Sequence, residues 1–314
     1  MLRSKEAKNK NRMKRGCVVL GFLAICCMSL INTADASIRG FNLKFAGGYG
    51  TYSVGDFNTF YSDTVPYYDV LFSSFGLVRQ GDYQELKNAW SLAWELSVDI
   101  TKNFSVGFGI ESYQADNPSS FSWSHPDYND FTIEVKPSLN IIPVKLNLYF
   151  AIPLAVKMKT YVNAGFGRYK VKGIFEYLET SQIPGQEGTF RSDITFDGTC
   201  LGLHGGLGLE YALSSNLSVI FEGIYRYAKL SEVDGRMNVR DYSGMNTRVE
   251  GRIWYFEYLD ENTDQYLSGI WFGEKPQNGE LRVVRELELD LSGFSLMIGI
   301  KIRFGIMKGN NKAH

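Results

Sequence analysis

Long stretches of this chain alternate between apolar and small or polar residues with a period of two. From about Ala89 to Ile100, Leu92, Trp94, Leu96, Val98 and Ile100 oppose Ser91, Ala93, Glu95, Ser97 and Asp99. After Thr101-Lys102-Asn103, Phe104, Val106, Phe108 and Ile110 alternate with Ser105, Gly107, Gly109 and Glu111. Successive side chains of a strand point to opposite faces, so such runs predict strands with two unlike faces. The same pattern predicts further strands at about 38–53, 131–150, 160–175, 199–211, 217–230 and 287–304, which makes eight.

One segment changes phase. Phe131, Ile133 and Val135 occupy odd positions, whereas Val144, Leu146, Leu148 and Phe150 occupy even ones. An extra residue in one strand turns every later side chain to the other face, and proline is tolerated at such points, so a bulge at Pro143 is expected.

The connections alternate in length. Short ones fall at about 101–103, 152–158 and 213–216, and long ones at about 54–88, 116–130, 178–194 and 231–286. In an up-and-down antiparallel sheet this sends every short turn to one rim and every long loop to the other, the asymmetry of a membrane barrel. The longest loop contains Arg252–Leu259 and Tyr266–Phe272, two aromatic-rich runs around the polar Asp260–Gln265, which predict a hairpin. It either projects beyond the membrane or joins the wall and raises the strand number to ten.

The two faces decide between a soluble and a membrane sheet. One carries Trp94, Leu96, Phe108, Leu148, Phe166, Leu207, Phe221 and Ile300. The other carries Lys44, Glu95, Asp99, Glu111, Lys145, Glu210, Glu222, Arg226, Lys301 and Arg303. Ten charges do not form an ordinary buried core, but they can line a narrow polar lumen whose outside meets lipid. Tyr49, Tyr149, Tyr161, Tyr211, Tyr225 and Tyr227 at strand ends suit an aromatic girdle. The expected fold is an all-β, antiparallel up-and-down transmembrane β-barrel with long external loops.

On this pattern the chain resembles the small OmpA/OmpW-type outer-membrane barrels. The residues that carry the resemblance are Ile142-Pro143-Val-Lys-Leu-Asn-Leu-Tyr149-Phe150, Tyr161-Val162-Asn-Ala-Gly165-Phe-Gly167, the glycine-alternating run Gly198–Tyr211, and a last strand that reaches Phe304. The chain departs from the family by continuing through 305–314 beyond that aromatic. The resemblance implies a bacterial outer-membrane location, lipids and the barrel-insertion machinery as partners, and a monomer. It further implies a non-enzymatic role: binding or passing small hydrophobic molecules, or loop-mediated surface contact.

The first 36 residues fit an export leader. Seven Lys/Arg precede an apolar run from Cys17 to Ile31, and Ala34-Asp35-Ala36 is a small-residue cleavage pattern. The expected organisation is a signal peptide over 1–36, a barrel domain over 37–304 and a tail over 305–314. Without the leader, 26 basic residues face 32 acidic ones, a net charge of −6. That balance argues against nucleic acid as a partner. Cys200 then stands as the single cysteine, so neither a disulfide framework nor a cysteine metal site is expected, and no cofactor is.

The remaining candidates are few. His204 falls on the lumen face with Glu222 as its expected neighbour, read first as an ordinary buried pair and second as a proton-linked gate or weak metal site. In Ser122-Trp123-Ser124-His125-Pro126-Asp127, the Ser, His and Asp types of a hydrolase occur together without a nucleophile elbow. The set is read first as a solvated loop and second as a lipid-modifying or proteolytic site. Tyr67, Tyr68, Phe72, Trp254, Tyr255 and Trp271 are the loop contact candidates, with packing of these loops into a lid as the alternative. A purely structural envelope barrel is the third functional reading.

Overall fold

The computed structural model describes residues 39–305, apart from 53, 126–127, 184–186, 262–263 and 278. The proposed leader and nearly all of the tail lie outside the described residues. In chain order the elements are β1 (Gly40–Thr51), α1 (Asp56–Ser73), β2 (Val78–Gly81), β3 (Asn88–Asp99), β4 (Phe104–Asp116) and β5 (Ser119–His125). The long strands β6 (Tyr128–Ala155), β7 (Met158–Ser181) and β8 (Gly188–Ala212) follow, then β9 (Leu217–Leu230). The last excursion holds β10 (Asp234–Arg240), β11 (Asn246–Asp260), β12 (Gln265–Phe272), β13 (Leu281–Glu286) and β14 (Leu289–Asp290), and β15 (Gly293–Gly305) closes the chain.

Eight strands form a closed antiparallel ring in the order β1, β3, β4, β6, β7, β8, β9, β15. β15 seals it against β1 from Gly40↔Gly305 to Gly50↔Ser295. Closure pairs the backbone groups that a sheet edge would leave bare in hydrocarbon, where no water can satisfy them. The short turns lie together at the periplasmic rim, and the long excursions rise from the other.

The hairpin of β11 and β12 is outside the wall, so the ten-strand alternative is incorrect. β8 explains why. Its Gly202–Ala212 half pairs β9, whereas its Arg191–Asp197 half pairs β10, which in turn carries β11. The strand is longer than the membrane is thick and takes a new neighbour once clear of it.

The expected bulge at Pro143 is also absent. β6 pairs β7 in unbroken register from Phe131↔Ser181 through Pro143↔Tyr169 to Pro153↔Lys159. The apolar residues change sides because the surroundings change. Phe131, Ile133, Val135, Leu139 and Ile141 point inward and are buried, whereas Val144, Leu146, Leu148 and Phe150 point outward and are exposed. β7 does the same, with Tyr169, Val171 and Phe175 inside above and Val162 and Phe166 outside below. Below the change of phase the barrel is polar within and apolar without. Above it, the arrangement is reversed.

The upper interior is closed by α1, in a segment that the sequence pattern gives as an aromatic loop. Phe57, Tyr61, Val65, Tyr68 and Phe72 recur every three or four residues, the stripe of an amphipathic helix. Pro66 and the aromatic and β-branched content lower its helix propensity and conceal that stripe. Tertiary packing compensates: Phe57 stacks on Phe175 at 4.3 Å and on Phe196 at 5.0 Å. Asp56 starts the helix and accepts two hydrogen bonds from Arg285, each 2.6 Å, and one from the Glu288 amide at 2.7 Å. Asp63 accepts from Ser268, and Trp123 donates to Asp69, so the plug is tied to both flanking extensions.

Candidate functional site: a charged lumen beneath an aromatic plug

The lumen side chains are set by the alternation of the eight wall strands, and they form a ladder of charges through the barrel. At the periplasmic end, Arg303 lies 3.8 Å from Asp99 and 3.7 Å from Glu210. Glu210 also receives Lys301 and Lys159, each at 3.1 Å. One step deeper, Lys44 reaches Glu222 at 3.1 Å and Glu95 at 3.5 Å. Lys145 pairs with Glu111, whose side chain has no exposed surface. Buried ions of this kind tolerate the loss of water only when each has its counter-ion and hydrogen bonds.

Two lumen residues stand outside this pairing of acids with bases. His204 meets Asn147 through Nε2 instead of Glu222, and its Nδ1 has no hydrogen-bond partner among the described residues. Cross-strand register accounts for this: Gly208 stands opposite Glu222, while His204 stands opposite Arg226 and beside Gly165. A side chain at Gly165 would collide with both His204 and Asn147, so glycine is what admits the imidazole. Among the described residues Arg226 has no carboxylate in ion-pair contact. It donates to the Tyr113 hydroxyl at 2.6 Å and to Ser295 at 3.2 Å, and lies 4.2 and 4.5 Å from the ring centroids of Tyr52 and Tyr113. The guanidinium marks where the polar ladder gives way to the aromatic plug.

Tyr149 and Tyr161, read from sequence as girdle residues, belong to the lumen. The Tyr161 hydroxyl donates to Glu222 at 2.9 Å and that of Tyr149 to Glu95 at 2.7 Å. Tyr161 fits because Gly208 faces it with no side chain. Lys159 and the asparagines Asn147 and Asn163 are further lumen residues that the sequence reading missed. Their odd numbers share the phase of Tyr161 and Gly165 on β7, or of Lys145 on β6, and that phase was the available signal.

Among the described residues, the space left between the lower lumen charges is small. The periplasmic cavity bounded by Lys44, Glu95, Glu210, Glu222 and Lys301 measures about 40 Å³, room for a few waters at most. Above Arg226 the plug is hydrocarbon and tyrosine. Burial pushes the hydroxyls of Tyr61 and Tyr68 far above the usual tyrosine range, for Tyr68 with Glu179 beside it, so both stay neutral.

The loop contact candidates divide. Phe72 and Tyr255 are buried in the upper core and Tyr68 packs against Phe72 and Trp123, so these three serve the lid and are not contact residues. Tyr67 and Trp254 are half-buried, while Trp271 is 51% exposed at the free face of the hairpin. His125 ends β5 close to Gly76, and Asp127 lies outside the described residues. Among the described residues no group of His, Cys, Asp and Glu could hold a metal ion.

Among curated proteins none matches this sequence. Several solved structures are similar to this chain. OprG of Pseudomonas aeruginosa is 12% identical, with 86% of this chain and 99% of that one covered and a TM-score of 0.35. A major outer membrane protein of Thermus thermophilus is 13% identical over 83% and 99%, with a TM-score of 0.36. The outer membrane protease OmpT of Escherichia coli is 9% identical over 87% and 100%, with a TM-score of 0.28. These likenesses extend to the fold alone. The model of the outer membrane protein beta-barrel domain matches residues 19–250, from before the first strand into the start of β11. A closed eight-stranded ring with lipid-facing apolar rows and a charged lumen agrees with that match, and the chain belongs to the outer membrane protein beta-barrel domain family, in the bacterial outer membrane.

Proposed function

We propose that this protein is a closed, non-enzymatic barrel whose working part is the structured surface it holds above the membrane. The observation that carries the reading is the filled interior. Ion pairs occupy the lower lumen, an aromatic helix occupies the upper one, and about 40 Å³ lies between the charges. A small hydrophobic molecule moving along the axis would have to part both. The surface above is built differently, as a sheet of β8, β10, β11 and β12 with Leu259, Tyr266 and Trp271 exposed on the hairpin. Exposed aromatics on an anchored sheet suit contact with another surface.

Two measurements test the proposal together. Purified protein in planar bilayers is expected to show no stepwise conductance, and liposomes bearing it no uptake of hydrophobic solutes above empty vesicles. Cells carrying Y266A/W271A are expected to insert the barrel normally and to lose adhesion to neighbouring surfaces. Solute flux through the intact protein, or unchanged adhesion, would sink the reading.

A further inference from the structure

The outward face of β7 carries lipid-facing Val162 and Phe166 and then, in the next three outward positions, Arg168, Lys170 and Lys172. All three are exposed, and in a strand they stand about 6.6 Å apart on one side. Cross-strand register fixes their level. Arg168 lies between Val144 and Leu201, both lipid-facing; Lys170 lies between Ile142 and Thr199; Lys172 lies between Asn140 and Asp197. The ladder therefore begins in the last apolar row and ends in the first fully polar one, which is the headgroup level of the outer leaflet.

The pairing of charges on this side of the barrel differs with height. Farther from the membrane, Lys136 has Glu134 at 2.6 Å, Arg191 has Asp193 at 2.9 Å, Arg248 has Glu250 at 2.7 Å and Arg252 has Asp234 at 2.9 Å. Arg168, Lys170 and Lys172 have no ion-pair partner among the described residues, although Asp197 stands opposite Lys172 in the sheet. Outward on the other strands near this end of the apolar wall stand Tyr49, Trp90, Tyr225, Tyr227 and Phe294, and the outward Lys229 of β9 is paired with Glu288 at 2.6 Å. Three like charges on adjacent outward positions repel unless an anion lies between them, and at this height the lipid itself provides one. Long basic side chains also reach from an apolar row toward headgroups while their stems stay in contact with hydrocarbon.

We infer that Arg168, Lys170 and Lys172 form a docking ladder for the phosphate of an anionic lipid headgroup in the outer leaflet. The guanidinium of Arg168 offers paired donors to phosphate oxygens, and the two ammonium groups add charge beside it. The ladder orients the molecule, with β7 facing anionic lipid and the aromatic half of the rim facing away from it.

The test uses the full-length protein in phosphatidylcholine nanodiscs doped with a minority of bis-phosphorylated lipid A or phosphatidylglycerol, with retained lipid read by native mass spectrometry. Wild-type protein is expected to retain the doped lipid at least about tenfold better than R168Q/K170Q/K172Q, because each basic group at an anionic surface contributes about a fivefold factor. K170R/K172R should retain it, and K136Q, which alters a charge already paired, should match wild type. Added salt should weaken retention, whereas inorganic phosphate at equal ionic strength should do no more than the salt. Equal retention by the triple variant, loss in K136Q as large as in the triple variant, or selective displacement by inorganic phosphate would overturn the inference. Heat-dependent migration on gels checks that each variant keeps the closed barrel.

Discussion

The halves of this barrel above and below Pro143 are built from the same strands by opposite rules. Below, Leu146 and Leu148 meet lipid while Lys145 and Asn147 are enclosed; above, Ile133 and Val135 are enclosed while Glu134 and Lys136 meet water. The strand passes between them without a change of register. The difference lies in the solvent on each side of the wall. Hydrocarbon outside requires an apolar exterior, and the lumen may then be polar if its charges are paired. Water outside restores the ordinary arrangement, with a hydrophobic core around α1.

The comparison can be broken most severely from within. Glu111→Ala leaves Lys145 buried without its carboxylate and is expected to cost about 3–5 kcal/mol, read as a lower urea midpoint for loss of the heat-modifiable barrel. Phe57→Ala removes a ring stacked between Phe175 and Phe196 and should cost the cap about 3–5 kcal/mol. Its signature is regional: limited proteolysis should open the 54–88 and 231–286 excursions while the membrane wall stays protected. Proteolysis that attacks the wall equally would show the halves to be a single cooperative unit.

A matched pair of outward substitutions sharpens the contrast. Leu207→Arg, in the lipid-facing row, is expected to destabilise insertion by about 2–4 kcal/mol. Ile174→Arg, outward on β7 in the upper half, should fall within about 0.5 kcal/mol of wild type in the same unfolding titration. Similar costs at both positions would place 174 in the membrane. The smallest effect belongs to Trp271→Ala, which should leave the unfolding midpoint unchanged within about 0.5 kcal/mol, since half of that side chain is already in water.

The lower half was legible because its pattern has one period and one meaning. Trp94 and Glu95 or Phe108 and Gly109 sort unambiguously, and the ring follows from the short turns. The upper half misled for two reasons. The inversion on β6 has the same sequence signature as an inserted residue, because period two records a change of face and not its cause. The stripe of α1 lies in a segment whose aromatic content and Pro66 speak against a helix, and rings remote in sequence, among them Phe175, Phe196, Trp123 and Phe131, supply the packing that makes it one. Within the lumen, the alternation gave the facing of Lys44, Glu222 and His204, but which charge meets which depends on stagger between strands. That stagger set His204 beside Asn147 and Arg226 among tyrosines.

By itself, the sequence determined the wall strands and, for most of their residues, which of two unlike faces each side chain takes, while eight and ten strands stayed open. Periodicity carries that information locally, residue by residue, against a solvent that is the same for every strand. Only the tertiary structure decided that the barrel is plugged, that the last hairpin extends β8 instead of joining the ring, and that Arg168, Lys170 and Lys172 run outward from the row of Val144 and Leu201 to that of Asn140 and Asp197. Those outcomes depend on register and on contacts between distant segments, which a local pattern does not encode.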